Sequence, residues 1–240
     1  MNTILFDLDG TLLPMDIEEF TKKYFGLLAQ TMSEKNRDGK MILDAILKGT
    51  MAMVKNDGSH TNEEVFWKTF VEITKIDQDE IEPEFYEFYE NVFDKINSGI
   101  QSENMIQAVK ILKEKGYRLY LTTNPLFPRI ATLKRTQWAG LDPNDFEWIT
   151  TYENSSFSKP SVDYYKEVIE GQHLDVHQCM MVGNDVKEDG AIQTLGVPLF
   201  LVEDYMLNHD NLEINCKWKG SSLDFLKFVE ELPEVKYDIF

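Results

Sequence analysis

The sequence predicts an α/β protein in which a parallel sheet is interrupted by a long helical insertion. Residues 3–6 form an apolar run that leads into clustered acids, which is typical of a buried strand. Residues 17–97 show only helical periodicity, whereas residues 102–202 alternate between strand-like and helix-like segments. Such alternation is typical of parallel βαβ units, and we expect the first strand to join that later sheet.

The composition indicates a folded protein with a strongly acidic charge. The chain has 240 residues, of which 42% are hydrophobic and 12% aromatic, enough for a sizeable core. With 24 Lys and Arg against 42 Asp and Glu, the formal net charge is −18. This charge repels phosphate backbones and acidic membrane surfaces, so we expect neither nucleic acid nor a membrane as a partner.

The cysteine pattern and the chain start predict a cytoplasmic protein. Cys179 and Cys216 show neither a CxxC spacing nor a zinc pattern, so we expect no disulfide framework. No apolar run approaches the ~18 residues of a membrane span. Asp7 and Asp9 interrupt the start, which lacks the basic and apolar regions of a signal peptide. The sequence gives no indication of the oligomeric state.

The insertion is expected to contain four helices, near residues 17–33, 38–55, 61–75 and 79–97. Asp16 is suited to cap the first helix, and Thr61 with Glu64 has the spacing of a capping box. Four aromatic residues of the last helix fall on one face, which indicates core packing rather than a ligand site. We therefore divide the chain into a core of residues 1–14 and 101–240 and an inserted all-helical domain of residues 15–100.

The second half predicts further strands near residues 117–123, 148–151, 178–182 and 198–202. Helices are expected between them, near residues 102–115, 128–139 and 161–170, with one more ending at about residue 195. A surface helix at residues 222–232 closes the chain. Every strand is short and mostly apolar, as expected for a sheet buried on both faces.

Polar residues follow four of the predicted strands. They are Asp7, Asp9 and Thr11, then Thr123 and Asn124, then Lys159, and finally Asn184, Asp185 and Asp189. Each residue alone has an ordinary explanation, such as a turn, a helix cap or a solvated lysine. Because the carboxyl ends of parallel strands meet at one edge of a sheet, the whole set predicts one crevice.

Phosphoryl transfer through an aspartyl phosphate requires this set of residue types. Asp7 and Asp185 can supply carboxylates to Mg²⁺, while Asp7 keeps an oxygen for attack. Lys159 and Thr123 can bind the phosphoryl oxygens. Asp9 is then the general acid for the leaving group and the base for water. If the first strand continues through both acids, Asp7 and Asp9 point to the same side.

These residues resemble the four motifs of the haloacid dehalogenase (HAD) superfamily, in order, between residue 3 and about residue 202. Asp7-Leu8-Asp9-Gly10-Thr11 is similar to motif one, Thr123 to motif two, Lys159 to motif three, and Asp185 with Asp189 to motif four. The resemblance implies a Rossmann-like, doubly wound core and a Mg²⁺ cofactor. It implies Asp7, Asp9 and Asp185 as metal ligands, Asp9 through its backbone carbonyl. Residues 15–100 resemble a C1-type cap.

Asp9 narrows the function that the resemblance implies. Dehalogenase relatives lack an acid at this position, so we predict a phosphatase that hydrolyses a small-molecule phosphomonoester. Thr123, Asn124 and Lys159 are expected to bind this substrate. A phosphomutase of the β-phosphoglucomutase type keeps the same motifs and is the alternative enzyme, and a non-catalytic HAD-fold binding protein is the alternative outside enzymes. Residues 15–100 contain no polar signature that identifies the ester.

Overall fold

The computed structural model of the chain describes residues 1–236 and contains one parallel sheet. Its strands are β1 (Thr3–Phe6), β2 (Arg118–Leu121), β3 (Trp148–Ile149), β4 (Cys179–Gly183), β5 (Leu199–Val202) and β6 (Trp218–Gly220). Their order is β3-β2-β1-β4-β5-β6, and every pair is parallel. The chain moves outward from β1 to β3 and then returns to the other side of β1. The last four positions of the predicted core lie outside the described residues.

Both faces of the sheet are covered, which explains its apolar strands. Helices α5 (Glu103–Glu114), α6 (Arg129–Trp138) and α8 (Ser222–Glu231) share one hydrophobic cluster with Ile4 and Phe6. Helix α7 (Val162–Gly171) packs in a second cluster with Leu5, on the opposite face. Alternate strand residues thus enter different cores, as the two-residue repeat of a strand requires. The predicted α/β, doubly wound fold is confirmed.

The residues from Ile17 to Ile96 are mainly helical, as predicted. They form α1 (Ile17–Glu34), α2 (Gly39–Val54), α3 (Asn62–Thr74), α4 (Gln78–Asn91) and the short 3-10 helix Phe93–Ile96. Asp16 caps α1 by accepting the N–H groups of Glu18 and Glu19 (both 3.0 Å). Thr61 and Glu64 form the predicted capping box at α3. The predicted aromatic stripe is buried and extends over α4 and the 3-10 helix.

Three local details differ from the sequence expectation. Strand β1 ends at Phe6, because the N–H groups of Gly10 and Leu13 bond within a tight loop (both 2.8 Å). The helix expected before residue 195 is a 3-10 helix, Gly190–Leu195, preceded by a turn that side chains stabilise. Strand β6 was not predicted, since three residues carry too little periodicity.

Two further observations concern membrane crossing and the state of the cysteines. Within residues 1–236, none of the helices combines the length and the hydropathy needed to cross a membrane. Cys179 and Cys216 are both free thiols, and Cys179 is buried in β4.

Candidate active site

Three neighbouring strands end side by side at the predicted site. Phe6 of β1 lies opposite Leu121 of β2 and Val182 of β4. The pairing continues one residue further, since Asp7 N donates to Val182 O (2.9 Å) and Thr122 N donates to Phe6 O (2.7 Å). The polar residues that follow these strands therefore start from one edge of the sheet, where open α/β folds bind ligands.

A buried ion-pair network joins Asp7 to two later segments. Lys159 Nζ donates to Asp7 Oδ1 (2.7 Å) and to Asp189 Oδ1 (2.6 Å), and the lysine side chain is fully buried. Asp189 Oδ2 accepts the N–H groups of Asn184 (2.9 Å) and Asp185 (3.0 Å). One lysine thus holds the first loop against the turn after β4, because an unpaired buried charge is costly.

Burial and neighbouring charges act in opposite directions on this network. Burial alone would lower the pKa of Lys159, but the carboxylates of Asp189 and Asp7 hold that pKa well above its usual value. Burial also raises the pKa of Asp189, and Lys159 opposes this rise. The two carboxylates thus favour the charged form of Lys159 beside Asp7.

The second acid of the first loop, Asp9, pairs with a buried arginine. Arg135 Nη1 donates to Asp9 Oδ2, and the arginine side chain is 2% exposed. The other oxygen, Asp9 Oδ1, is buried and has no hydrogen-bond partner among the described residues. Burial raises the pKa of Asp9, the charge of Arg135 opposes the rise, and the charge of Asp7 adds to it. An acid with a raised pKa and an unbonded oxygen is suited to proton transfer.

Arg135 was missed by sequence reasoning, although a signal for it exists. It lies on the buried face of α6, four residues after Ala131 and three after Thr132. A charged residue on the buried face of a short helix requires a partner, and this placement could have indicated one. Its guanidinium carbon also lies 4.5 Å from the centre of the Phe127 ring, at cation–π distance.

Asn184 stabilises the loops of the site. Its Oδ1 accepts a hydrogen bond from Thr11 Oγ1 (3.0 Å), and its Nδ2 donates to Tyr205 O (2.7 Å). Gly10 has φ +84°, and a Cβ there would lie 2.2 Å from Asn184 Nδ2. The glycine is therefore needed for both the left-handed backbone and the close approach. Asn184 thus connects the first loop with the chain after β5.

The turn after β4 carries a further acid that sequence reasoning missed. Asp185 Oδ1 accepts the N–H groups of Lys187 and Glu188 (both 2.8 Å), which closes the turn. The Glu188 carboxylate accepts two contacts from Asn124 Nδ2 (3.1 and 3.2 Å), and burial raises its pKa. Asn124 Oδ1 accepts the N–H of Lys159 (3.2 Å). Asn124 therefore links the turn that carries Glu188 with the loop that carries Lys159.

Most of the predicted site residues line one cavity of about 210 Å³. Those that line it are Asp7, Asp9, Thr123, Asn124, Asp185 and Asp189, together with Arg135, Glu188 and Asn184. The carbonyl of Thr123 is held by the hydroxyls of Thr150 (2.8 Å) and Tyr164 (2.9 Å). Lys159 contacts Asp7 and Asp189 behind the wall of the cavity. The structure thus brings together every residue that the sequence assigned to the site.

The oxygen donors of this cavity fit a magnesium ion. No three acidic, histidine or cysteine side chains in residues 1–236 are grouped as ligands for one metal. Mg²⁺ commonly takes only one or two protein carboxylates and fills its other positions with water and substrate oxygens. Asp7 and Asp185 provide two carboxylates in one cavity, and their donors are the hard oxygens that this ion prefers. The residues present are therefore sufficient for Mg²⁺.

The chain belongs to the haloacid dehalogenase-like hydrolase family, whose model matches residues 1–196. It is accordingly a hydrolase of this family. A search of curated protein sequences gives no match.

Solved structures share the fold over nearly the whole chain. A HAD phosphatase from Thermococcus onnurineus has a TM-score of 0.60 at 17% identity, covering 98% of this chain and 100% of its own. A protein assigned as a β-phosphoglucomutase from Thermotoga maritima has 0.57 at 16%, covering 97% and 100%. A HAD hydrolase from Bacillus subtilis bound to magnesium has 0.56 at 20%, covering 96% and 99%. Similarity at this level shows the fold.

Proposed function

We propose that this protein is a magnesium-dependent phosphatase that hydrolyses a small-molecule phosphomonoester through an aspartyl phosphate on Asp7. The observation that carries the proposal is the position of Asp9. It follows the nucleophile by two residues, lines the same cavity and keeps one buried oxygen without a hydrogen bond in the described part of the chain. A carboxyl group placed in this way can exchange a proton with the leaving oxygen.

In the first step, an oxygen of Asp7 attacks the phosphorus atom. The new Asp7 O–P bond forms while the P–O bond to the leaving group breaks, and Asp9 gives its proton to the departing oxygen. The raised pKa of Asp9 favours the protonated form that this step needs. In the second step, water attacks the phosphorus atom, Asp9 takes a proton from the water, and the Asp7 O–P bond breaks to release phosphate.

Lys159 and Thr123 complete the binding of the phosphoryl group in this proposal. Lys159 is bonded to Asp7 at 2.7 Å and provides positive charge beside the transferred oxygens. Thr123 and Asn124 line the cavity and offer hydrogen bonds. Asp189 and Glu188 act indirectly, by fixing Lys159 and Asn124 in place.

The proposed cofactor is Mg²⁺, with Asp7, Asp185 and the backbone carbonyl of Asp9 as its ligands. When bound, the ion supplies positive charge against the phosphoryl oxygens. Support comes from the hard oxygen donors of the cavity and from the Bacillus subtilis relative described as bound to magnesium.

We further propose that residues 15–100 are a cap domain over a core of residues 1–14 and 101–240. Asn62 of α3 is fully buried and donates to Pro125 O (3.2 Å) and to Phe157 O (3.1 Å). These carbonyls belong to the loops that carry Asn124 and Lys159. The Bacillus subtilis relative is described as showing interdomain movement, which supports a mobile cap.

A phosphate-release assay tests the proposed function. The purified protein is expected to release phosphate from at least one ester of a broad panel when Mg²⁺ is present. EDTA should abolish release and excess Mg²⁺ should restore it. Formation of an isomeric sugar phosphate without free phosphate would instead identify a mutase, and silence across the panel would favour a binding protein.

A further inference from the structure

A second cavity lies inside the helical segment, next to the candidate active site. Its volume is about 310 Å³, and helices α1 to α4 contribute most of its wall. Nine aromatic residues line it, among them Phe20, Tyr24, Phe66, Trp67, Phe85 and Phe127. A cavity of about 150 Å³ holds one benzene ring, so this space is large enough for about two rings. We call it the aromatic cavity.

The wall of the aromatic cavity has no charged side chain among the described residues that form it. The Tyr24 and Tyr89 hydroxyls bond each other (2.7 Å), so their polar atoms are already paired. Trp67 Nε1 is buried without a hydrogen-bond partner among the described residues, so the wall offers one N–H donor. A charged or heavily hydroxylated group placed there would lose more hydration than this donor can replace. The cavity therefore accepts uncharged, mostly hydrocarbon groups.

The aromatic cavity lies directly beside the candidate active site. Ile17, Leu126 and Phe127 line both cavities. Arg135, which is bonded to Asp9, lies over the ring of Phe127. Because Asp9 protonates the leaving oxygen, the leaving group departs on the Asp9 side of the phosphorus atom. On that side Asp9 bonds Arg135, Arg135 lies over the Phe127 ring, and Phe127 lines the aromatic cavity.

We propose that the aromatic cavity binds the alcohol part of the substrate, which is an uncharged aryl-alkyl or bulky hydrocarbon group of up to about two rings. This inference rests on the proposed phosphatase function and adds the class of ester on which it acts. It also explains why residues 15–100 carry no polar signature. Apolar burial of the alcohol, and not hydrogen bonds to sugar hydroxyls, provides the selectivity.

The test compares primary alkyl phosphates whose leaving groups have similar reactivity. The esters are 2-(1-naphthyl)ethyl phosphate, glucose 6-phosphate and the small reference ethyl phosphate. We expect kcat/KM for the naphthyl ester to exceed that for glucose 6-phosphate by at least about tenfold. Equal or reversed preference, with ethyl phosphate still hydrolysed, would overturn the inference and leave the phosphatase function intact. Failure to hydrolyse any ester would overturn the proposed function itself.

A pair of variants locates the selectivity in the cavity. Thr50 of α2 lines the aromatic cavity, whereas Thr31 of α1 does not belong to its wall. Thr50→Phe should fill part of the space and lower kcat/KM for the naphthyl ester at least about tenfold, with ethyl phosphate within twofold. Thr31→Phe should change neither. Equal losses on both esters in Thr50→Phe would contradict the proposed location.

Binding of the alcohol product gives a readout independent of turnover. In calorimetry, 2-(1-naphthyl)ethanol should bind the Asp7→Asn protein at one site, and Thr50→Phe added to this background should weaken binding at least about tenfold. Adding Thr31→Phe instead should leave the affinity unchanged. An affinity that both additions leave unchanged would show that the alcohol binds elsewhere and would overturn the inference.

Discussion

The two cavities share Phe127 in their walls but are otherwise lined by different types of side chain. The active-site cavity is lined by six charged side chains, Asp7, Asp9, Arg135, Asp185, Glu188 and Asp189. The aromatic cavity is lined by none among the described residues. The charged groups come almost entirely from loops after strands, whereas the aromatic groups come mainly from α1, α3 and α4. Reaction chemistry and the proposed selectivity for the alcohol therefore lie on different parts of the chain.

The two regions also differ in how they tolerate change. In the active-site cavity the buried charges of the Asp7–Lys159–Asp189 network compensate one another, so loss of one partner leaves an uncompensated charge. In the aromatic cavity the energy is spread over many weak contacts, none of which depends on a single partner. We therefore expect a single substitution to have a large effect on activity or stability in the active-site cavity and a smaller effect in the aromatic cavity.

The largest effect is expected for Asp7→Asn. The amide cannot form the aspartyl phosphate, so turnover should fall by at least about 10⁴-fold, as for other lost nucleophiles. Circular dichroism should show an unchanged fold, because the amide oxygen still accepts the bond from Lys159. Turnover near that of the unaltered protein would remove Asp7 from the nucleophile role.

Asp9→Asn should have the next largest effect. The amide keeps the size of the side chain and can still contact Arg135, but it cannot supply or accept the transferred proton. We expect kcat to fall by about 10²- to 10⁴-fold, with KM changed only a few-fold. Steady-state kinetics on the best ester of the panel measures both. An unchanged kcat would exclude the acid–base role.

Arg135→Gln tests the boundary between the two regions. The charge of Arg135 lowers the pKa of Asp9, so its removal should raise that pKa further. The general acid acts in its protonated form, and the rate falls as pH rises through its pKa. The descending limb of the kcat–pH profile should therefore move to higher pH. A limb that stays in place, or moves to lower pH, would contradict this assignment.

The smallest effect on the rate is expected for Asn62→Ala. This change leaves the carbonyls of Pro125 and Phe157 without their buried donor, which should cost about 1–3 kcal/mol in the free energy of unfolding. Looser loops should raise KM a few-fold while kcat stays similar. Asn104→Ala, which removes a bond to Ser222 (3.2 Å) between α5 and α8, is the matched control. It should alter stability without altering KM.

Local patterns in the sequence were sufficient for much of the fold and for the predicted members of the site. An apolar run before Asp7 predicts a strand, and the capping residues Asp16 and Thr61 mark helix starts that the structure confirms. These signals succeed because burial periodicity and helix capping depend on residues only a few positions apart. The parallel sheet then requires that the strand ends lie together, so the order of the motifs was enough to gather the site.

The partners of the buried groups were decided only by the tertiary structure. Arg135 pairs with Asp9 across 126 positions of sequence, and Asn124 contacts Glu188 across 64. The short β6 and the 3-10 helix Gly190–Leu195 likewise depend on neighbours rather than on their own periodicity. Sequence shows that a buried polar group needs a partner, but helix packing on the sheet selects which group comes within reach. By itself, the sequence determined the acids and their order; the tertiary structure determined the pairs and the aromatic cavity beside them.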